Sequence, residues 1–396
     1  MKYLNVRQGK FIKRLNRFIA EVSINGEINL AYVPNTGRCK EIFSNGANCY
    51  LSENFSDQRK TKFTLIALEK NQMLINIDSQ APNAAVEEAI KSGKIDFDFE
   101  VTNYIREFTY DKSRFDFYLE GENKKAFLEV KGVTLENYGI ASFPDAPTLR
   151  GSKHLKELIK AKKEGYEAYI LFLIQMHGPH EFYPNYKTDK AFANYLKEAD
   201  LAGVNILAYD SIVKEDEIIL DHKIDYNLHE IILKPARMED KKSVLKIYDD
   251  GSKSLKAMGV DQWQGIQKPN LDNMKELVDS KELYVLDDNG IVATAILSNF
   301  EKNYNRIDGA WKYEGEYIVI HRFAVSGSFR NKGYARKLLY EIENYALNQG
   351  IHILRIDTHK DNYKMQNLLK SCNFEYAGIT YIYGNVPRQS FEKPLK

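Results

Sequence analysis

Three residues capable of metal chemistry lie in two short segments, 113–119 and 126–131. Apolar and charged residues alternate in both segments, which predicts two β-strands joined by a polar turn. Asp116 and Glu129 lie 13 residues apart, a spacing that suits two carboxylates on neighbouring strands. Lys131 follows Glu129 by two positions, so a strand presents both side chains on one face. We therefore expect an aspartate, a glutamate and a lysine to meet at one place.

This trio suits hydrolysis assisted by a hard cation. Carboxylate oxygens are the ligands that Mg²⁺ prefers, and an ammonium can stand beside a metal-bound water or a phosphate oxygen. The alternative is a hairpin whose outward charges pair across the strands, which is worth a few tenths of a kcal/mol. The spacing alone leaves both interpretations open, because an aspartate followed by a Glu-x-Lys motif is common by chance.

The segments around these strands follow an α/β pattern, with helices on a partly parallel sheet. A helix is predicted near residues 83–90, which Asn83 can cap and Gly93 can end. The elements predicted after the two strands are a helix from 152 to 165, a strand buried on both faces at 169–174, a helix at about 189–203 and a strand at 206–209.

The chain before this pattern predicts a small antiparallel barrel. From residue 11 to about 77 the apolar segments are short and alternating, and Asn25 with Gly26 forms a hairpin turn. Phenylalanines in this part stand among basic residues, which are Lys10, Lys13, Arg14, Arg17, Arg38 and Lys40. Basic and aromatic residues on a small barrel suit nucleic acid. The alternative is an ordinary solvated face over core phenylalanines, and composition alone favours it.

Length and charge limit the class of protein. A chain of 396 residues suggests two or three domains. The net charge of +1 means that any surface for nucleic acid must be local. Apolar residues make up 43% of the chain, yet none of their runs approaches the roughly 18 residues of a membrane span. Residues 1–4 lack the core of a signal peptide, so we expect a cytoplasmic protein without a membrane partner.

Cysteines and histidines give little sign of a further metal site. Cys39, Cys49 and Cys372 form no Cys-x-x-Cys pair, which fits a reduced compartment and disfavours a disulfide framework or a cysteine zinc site. His177 and His180 have the spacing of metal ligands, but glycine and proline between them indicate a loop. With no second ligand pair nearby in the sequence, we do not expect a zinc site there.

A second unit begins after residues 226–228, where the composition shifts. Its predicted elements are strands at 229–234, 282–286, 291–297 and 317–325, a helix from about 240 and a long helix at 336–348. Between the strand at 317–325 and the long helix stands the segment 330–335, which contains Gly333. A strand, a glycine-bearing loop and a helix form a phosphate cradle, because free N–H groups at the helix start point at an anion. A tight strand-to-helix turn explains the same pattern.

The first half closely resembles the sugar fermentation stimulation protein A family, from residue 1 to about 227. The resemblance is carried by motifs at 35–38, 113–117, 129–135, 143–151, 153–155 and 203–209. It implies an N-terminal OB-fold at 1–80, a restriction-endonuclease-like PD-(D/E)XK domain at 81–227, and DNA as a partner. One departure is Gly132, which stands where a serine or similar small residue is common.

The resemblance also implies roles for particular residues. Asp116 and Glu129 would hold Mg²⁺, Lys131 would orient or polarise the attacking water, and Glu88 on the preceding helix would supply a further acid. The candidates for DNA contact are Arg14, Arg17, Arg38, Lys40, Arg114 and Arg150. The alternative is a regulatory module that binds DNA without cutting it. The complete set of Asp116, Glu129 and Lys131 favours hydrolysis, since a pure binding domain gains nothing from anions beside DNA phosphates unless a cation bridges them.

Residues 228–396 closely resemble the GNAT acetyltransferases. The resemblance rests on the segment 330–335, the strand at 353–358, Asp361 with Asn362, and residues 373–376; the segment 260–264 and the ending at 391–393 look like a bacterial subgroup. It implies an N-acetyltransferase that uses acetyl-CoA and an amine acceptor that the sequence does not identify. The implied contacts with acetyl-CoA are Phe323, Val325, Arg330, Lys332, Gly333, Tyr334, Ala335 and Asn362.

The catalytic residues of this second half depart from the common pattern. Leu369 stands where many GNAT enzymes carry a tyrosine general acid. The leaving thiolate would then take its proton from water or Tyr381, or need none, and Glu316 and His321 are candidate bases by position alone. The rival interpretation is an appendage that binds CoA but has lost transfer. The chain as a whole is expected to be multidomain, with α/β and α+β parts: an OB-fold β-barrel, a PD-(D/E)XK domain and a GNAT domain.

Overall fold

The structure is a computed structural model, and it describes residues 1–35, 37, 39, 41–55, 61–111, 113–382 and 385–395. The chain divides into two compact units, Met1–Leu228 and His229–Lys396. Within the described ranges, no helix is long and apolar enough to cross a membrane. The finer division at residues 80 and 227 stays a prediction.

The first unit begins with a closed barrel. Its strands are β1 (Val6–Arg14), β2 (Ile19–Ile24), β3 (Glu27–Tyr32), β4 (Asn48–Glu53), β5 (Phe63–Lys70) and β6 (Met73–Asn76). The sheet order is β3-β2-β1-β4-β5-β6, and β3 also pairs with β5, where Ala31 meets Phe63. This extra pairing closes five strands into a barrel and confirms the predicted OB-fold.

The second part of this unit is a mixed sheet with helices. Its elements are α1 (Ala81–Lys91), β7 (Asn103–Tyr110), β8 (Ser113–Glu120), β9 (Lys125–Val133), β10 (Leu135–Asn137), β11 (Ile140–Phe143), α2 (Leu149–Lys163), β12 (Glu167–Ile174), β13 (Glu181–Pro184), α3 (Lys190–Leu201), β14 (Asn205–Lys214), β15 (Glu217–Lys223) and β16 (Asp225–Tyr226). Six of the strands form one sheet in the order β15-β14-β12-β9-β8-β7. Strand β12 runs parallel to both β9 and β14, which confirms the expected partly parallel sheet.

One local prediction for this unit is wrong. Asn83 does not cap α1, which begins at Ala81 with Pro82 in its first turn. Proline suits a first turn because its missing N–H would have no helical partner there. Asn83 therefore lies inside the helix, and its amide is available for another contact.

The second unit is one large sheet with helices packed on it. Its elements are β17 (Ile232–Pro235), α4 (Lys241–Ala257), α5 (Met274–Asp279), β18 (Leu283–Asp287), β19 (Ile291–Ser298), β20 (Ile307–Gly309), β21 (Ile318–Val325), α6 (Tyr334–Asn348), β22 (Ile353–Thr358), α7 (Tyr363–Ser371), β23 (Glu375–Ile382) and β24 (Val386–Pro394). The strand order is β17-β18-β19-β21-β22-β24-β23-β20. Strands β21 and β22 run parallel at its centre, as in the predicted GNAT fold.

Candidate functional site

Strands β8 and β9 bring Asp116 and Glu129 together. Their antiparallel register pairs Phe117 with Leu128, and one further step along it sets Asp116 opposite Glu129. At this point Val130 donates its backbone N–H to Oδ2 of Asp116 at 2.8 Å. The Asp116 side chain thus takes the place of a backbone acceptor, and the two strands open where the carboxylates meet.

Asp116 is fixed from a second direction by helix α1. Nδ2 of Asn83 donates to its other oxygen, Oδ1, at 2.7 Å. Burial and the nearby charge of Glu129 raise the pKa of Asp116. Ionised Asp116 is therefore costly in this pocket unless a positive charge lies beside both carboxylates.

Glu129 carries the observation that best tests whether a cation fits. Its side chain is 3% exposed, and Oε1 accepts hydrogen bonds from Lys131 Nζ and His154 Nδ1. Oε2 is buried and has no hydrogen-bond partner among the described residues. Such an oxygen costs about 1–3 kcal/mol, and more when charged. A hard cation between Asp116 and Glu129 would remove this cost, so the residues present fit one.

Lys131 keeps Glu129 ionised despite its burial. Burial alone would raise the pKa of Glu129, but the charge of Lys131 and the hydrogen bond from His154 outweigh it and lower that pKa. The three predicted residues therefore lie together as the sequence suggested.

His154 is a member of this site that sequence reasoning missed. It lies on α2, and its Nε2 is 3.5 Å from Nε of Arg150. Because a guanidinium only donates, Nε2 is the acceptor and Nδ1 carries the proton that goes to Glu129. A signal was present in the sequence: His154 shares a helix face with Gly151, Leu155 and Leu158, all buried.

Glu88 is not part of the site, and the expectation for it is corrected. Its carboxylate is exposed and accepts a hydrogen bond from the amino group of Met1 at 2.5 Å. That amino group also donates to the carbonyl of Ile218 on β15, which lies at the opposite edge of the sheet from β7 and β8. Helix α1 presents Asn83, not Glu88, to Asp116.

A side chain at position 132 would meet steric conflict. A Cβ atom at this position would lie 2.4 Å from Oε1 of Gln175 and 2.7 Å from Cγ of Pro82. Gln175 is itself fixed, because its Nε2 donates to Oδ1 of Asn76 and to the carbonyl of Asp78, each at 3.0 Å. A serine has no room behind Lys131.

Arg14 has a structural role within the barrel. Its guanidinium donates to the carbonyls of Gly37 at 2.7 Å, Arg17 at 2.7 Å and Asn35 at 2.5 Å. It also lies over the ring of Phe43, 4.7 Å from the centroid. These contacts hold the segment that follows β3. The guanidinium of Arg14 therefore bonds to backbone carbonyls of the barrel, which argues against its prediction as a DNA contact.

The other predicted DNA contacts differ in their surroundings. Arg17, Arg114 and Arg150 are exposed, and Arg114 pairs with Glu107 at 3.3 Å. Arg150 stands in the first turn of α2, beside His154 of the acidic site. Arg38 and Lys40 lie outside the described residues.

In the second unit the central strands diverge to open a cleft. Parallel pairing of β21 with β22 runs from Ile318 to Ile320, whereas β21 continues to Val325. Arg322 has a φ of 47°, a left-handed conformation that bends the strand. The backbone at Phe323 and Val325 therefore faces a cleft of about 650 Å³.

An anion cradle stands at one end of this cleft. Asn331 and Gly333 have φ values of 60° and 77°, and α6 starts directly afterwards. Lys337 N–H bonds to the carbonyl of Gly333, so Ala335 and Arg336 precede the first intrahelical bond and their amides lie where a helix start can bind an anion. The predicted cradle residues Arg330, Gly333, Tyr334 and Ala335 all line the cleft.

Three of the predicted contacts, Lys332, Tyr334 and Asn362, have partners of their own. Lys332 is exposed, with its ammonium 5.5 Å from the ring centre of Phe329. The hydroxyl of Tyr334 donates to Asp288 at 2.5 Å. Asn362 lines the cleft and caps α7 by accepting from Met365 N–H at 3.3 Å.

A polar group at another part of the cleft suits proton transfer. Nε2 of His321 lies 3.3 Å from Oε2 of Glu301, and Glu301 also accepts from Asn303 N–H at 2.9 Å. The hydrogen bond from His321 lowers the pKa of Glu301 to about 2. Glu301 is thus an ionised acceptor that holds the N–H of Nε2, so Nδ1 is the nitrogen of His321 through which a proton could be exchanged with a substrate.

The remaining candidates for acid and base do not line the cleft as the structure describes it. Glu316 is exposed. Leu369, whose side chain cannot donate a proton, is fully buried. Tyr381 donates to Asp308. Asp357 does line the cleft, where it accepts from the hydroxyl of the buried Tyr304 at 2.9 Å, and burial raises the pKa of Asp357.

Known families match both units. Residues 12–77 match the SfsA N-terminal OB domain, residues 80–217 the sugar fermentation stimulation protein RE domain, and residues 251–374 the acetyltransferase (GNAT) family. A sugar fermentation stimulation protein homolog from Alkaliphilus oremlandii is 49% identical over 230 residues, which are 57% of this chain and 98% of the relative.

Solved structures resemble each unit in turn. Pyrococcus furiosus SfsA, solved in complex with Ca²⁺, is 30% identical with a TM-score of 0.53, and the alignment covers 57% of this chain and 98% of that one. A GNAT-family acetyltransferase from Streptococcus agalactiae is 23% identical with a TM-score of 0.39, over 42% of this chain and 96% of that one. The chain therefore belongs to the sugar fermentation stimulation protein family and carries a GNAT acetyltransferase domain after the family's OB and RE domains.

Proposed function

We propose that the first unit binds DNA and cleaves it with the help of a divalent cation, Mg²⁺ in the cell. The observation that carries this proposal is Oε2 of Glu129, a buried carboxylate oxygen that lacks a hydrogen-bond partner in the described part of the chain and lies beside Asp116. The structure of Pyrococcus furiosus SfsA was solved in complex with Ca²⁺. That complex supports the proposal, because Ca²⁺ and Mg²⁺ both prefer oxygen ligands.

Asp116 and Glu129 are the residues that would hold the cation. When bound, it supplies charge neutralisation and Lewis-acid chemistry at a phosphate. Lys131 places its ammonium beside Glu129, where it can orient a water or stabilise a phosphate oxygen. His154 fixes the rotamer of Glu129, and Asn83 with the Val130 amide fixes that of Asp116. Arg17, Arg114 and Arg150 are the described candidates for phosphate contacts.

The test is incubation of the full chain with single-stranded DNA, duplex DNA and RNA, with and without Mg²⁺. We expect products that need Mg²⁺ and disappear in Asp116→Asn. The matched control is Glu122→Gln, because Glu122 is an exposed carboxylate in the turn between β8 and β9. DNA binding without cleavage in the parent protein would support the non-cleaving regulatory module instead.

We also propose that the second unit transfers the acetyl group of acetyl-CoA to an amine. The observation that carries this proposal is the divergence of β21 and β22 after Ile320, since one cleft then joins the anion cradle to the His321–Glu301 pair. The amides at the start of α6 would hold the pyrophosphate, and the free edge of β21 at Phe323 and Val325 would pair with the pantetheine arm.

The proposed transfer is direct. The amine nitrogen attacks the thioester carbonyl carbon, the C–S bond breaks, and CoA leaves as the thiolate, which takes a proton from solvent. The amine loses a proton, and Nδ1 of His321 accepts it. Nε2 of His321 is not the acceptor, because its N–H is held by Glu301. Holding both reactants in one cleft supplies much of the acceleration.

Two measurements test this proposal with the full chain. Calorimetric titration with acetyl-CoA is expected to show binding, and absence of binding would contradict the proposal. A screen of amines that follows CoA thiol release is then expected to find an acceptor whose turnover drops in His321→Gln. The control is His352→Gln, because His352 bonds to the carbonyl of Leu395 and is not among the residues that line the cleft.

A further inference from the structure

Four potential metal ligands meet in the first unit, away from the Asp116 site. They are His177, Asp210, Asp221 and His222, and one ligand atom from each lies within 4.8 Å of all the others. We name these residues the His/Asp cluster. The sequence does not predict a metal site at His177, because no second ligand pair stands near it along the chain. Its partners come instead from β14 and β15, more than 30 residues later in the chain.

A β-bulge brings the last two residues to the same point. The register of β14 and β15 pairs Tyr209 with Lys223 and Ser211 with Leu220. Asp210 alone on β14 therefore stands opposite Asp221 and His222 on β15. Neighbouring residues of a regular strand point to opposite faces, and the bulge is what lets Asp221 and His222 converge.

Asp210 is the fixed centre of the cluster. Its side chain is 5% exposed, and it accepts from the backbone N–H of His222 at 2.8 Å and from that of Gly178 at 3.4 Å. These bonds orient the carboxylate and hold the loop after β12 against β14. The same loop is anchored by the bond from Ser211 N–H to the carbonyl of Met176, at 3.2 Å.

The side chains are spaced as ligands of one small cation need to be. Zinc binds nitrogen and carboxylate oxygen at about 2.0–2.2 Å, so tetrahedral donors stand roughly 3.3–3.6 Å apart. Nδ1 of His177 lies 3.0 Å from Oδ2 of Asp210. Nδ1 of His222 lies 3.8 Å from Oδ1 of Asp210 and 2.7 Å from Oδ2 of Asp221. The imidazoles of His177 and His222 are exposed, so small rotations of these side chains can bring the donor atoms to tetrahedral spacing.

We propose that the His/Asp cluster is a structural site for a divalent transition metal of the zinc type. Two imidazoles and two carboxylates supply four ligands and a formal charge of −2, which a dication neutralises. Four protein ligands complete a tetrahedron and leave no open position for a reacting water. The ion would tie the loop after β12 to strands β14 and β15. It would differ from the Asp116 site, whose two metal-binding side chains are carboxylates that suit Mg²⁺.

The test uses the full chain carrying Asp116→Asn, so that the acidic site does not compete for metal. Titration with Co²⁺ is expected to give the visible absorption of a tetrahedral complex, and Zn²⁺ is expected to displace it. His177→Gln and His222→Gln should each weaken Co²⁺ binding by more than roughly tenfold. His180→Gln is the matched control, because His180 is an exposed histidine of the same loop and is not in the cluster.

Both histidine variants are expected to fold, since their side chains are 63% and 72% exposed, and circular dichroism checks this. Zn²⁺ should raise the melting temperature of the Asp116→Asn chain, while the same concentration of Mg²⁺ should not. Co²⁺ binding that is equal in His177→Gln, His222→Gln and His180→Gln would overturn the proposal. Absence of any Co²⁺ or Zn²⁺ effect would also overturn it and leave the cluster as ion pairs.

Discussion

His154 donates its Nδ1 proton to one carboxylate oxygen of Glu129, and the other oxygen of that carboxylate points into the site without a hydrogen-bond partner among the described residues. This relationship separates two tasks within one side chain. Oε1 is held by the protein, through His154 and Lys131, and Oε2 would bind the proposed cation. A residue from helix α2 would thus orient the proposed metal ligand on strand β9.

Replacing His154 is expected to weaken Mg²⁺ binding without removing either carboxylate. Residues that orient a metal ligand are typically worth about 10–100-fold in affinity, so we expect a loss in this range for His154→Ala, measured by calorimetry. Loss of the hydrogen bond also raises the pKa of Glu129. As the pH is lowered, Mg²⁺ binding should therefore be lost at a higher pH in His154→Ala than in the parent protein. His154→Gln can still donate to Glu129 and should restore part of the affinity.

A variant that only loosened the fold would show a different result. It would lower the melting temperature but leave the pH profile of Mg²⁺ binding in place. His180→Gln is the control, because it removes an exposed histidine of the same unit that is not part of this site. Equal affinity and an equal pH profile in His154→Ala and the parent protein would contradict the role assigned to His154.

The strands and the trio of Asp116, Glu129 and Lys131 could be predicted from the sequence because their signal is local. Period-2 alternation marks β8 and β9, and Glu129 and Lys131 share a face for that reason alone. His154 and the His/Asp cluster depend on how distant elements pack, and a bulge in β15 is not readable from residue spacing. The prediction for Glu88 is wrong because the side chain that a helix turns towards the site depends on where the helix begins, and α1 begins at Ala81 with Pro82 in its first turn.

Gly132→Ser is expected to destabilise the first unit. The new Cβ would overlap Oε1 of Gln175 at 2.4 Å, and Gln175 is held by two hydrogen bonds. Overpacking of this kind costs about 1–3 kcal/mol in the free energy of unfolding, measured by urea denaturation. In a double-mutant cycle, Gln175→Ala should cost less in the serine background than in the parent. Strict additivity would show that the serine does not meet Gln175.

Glu301 is expected to contribute to stability in a pH-dependent way. Its pKa is about 2 in the folded protein because His321 donates to it, against roughly 4.3 for a glutamate in an unfolded chain. A carboxyl with a lowered folded pKa stabilises the protein above the unfolded pKa, and this contribution is lost as the pH falls from about 4.3 towards 2. Glu301→Gln should therefore show a shallower loss of unfolding free energy over that range.

Glu314→Gln is the control for this measurement, since Glu314 is an exposed glutamate of the same unit. We expect its unfolding free energy to fall with pH as steeply as in the parent chain. If the unfolding free energy of Glu301→Gln fell with pH as steeply as in Glu314→Gln and the parent chain, the ion pair between Glu301 and His321 would not form in solution. Glu301→Gln should also lower the rate of acetyl transfer, because a neutral glutamine does not hold the tautomer of the His321 imidazole as a carboxylate does.

Gly333→Ala tests the anion cradle at the start of α6. Gly333 has a φ of 77°, and a Cβ atom in this left-handed conformation costs about 1–2 kcal/mol. The strain falls on the residue that aims the amides of 334–336, so the KM for acetyl-CoA should rise along with the loss of stability. Gly350→Ala is the matched control, because Gly350 has a φ of 74° with open space around its Cβ and lies beyond the other end of α6. It should lose similar stability and keep the parent KM, whereas an equal KM in both variants would mean that these amides do not hold the pyrophosphate.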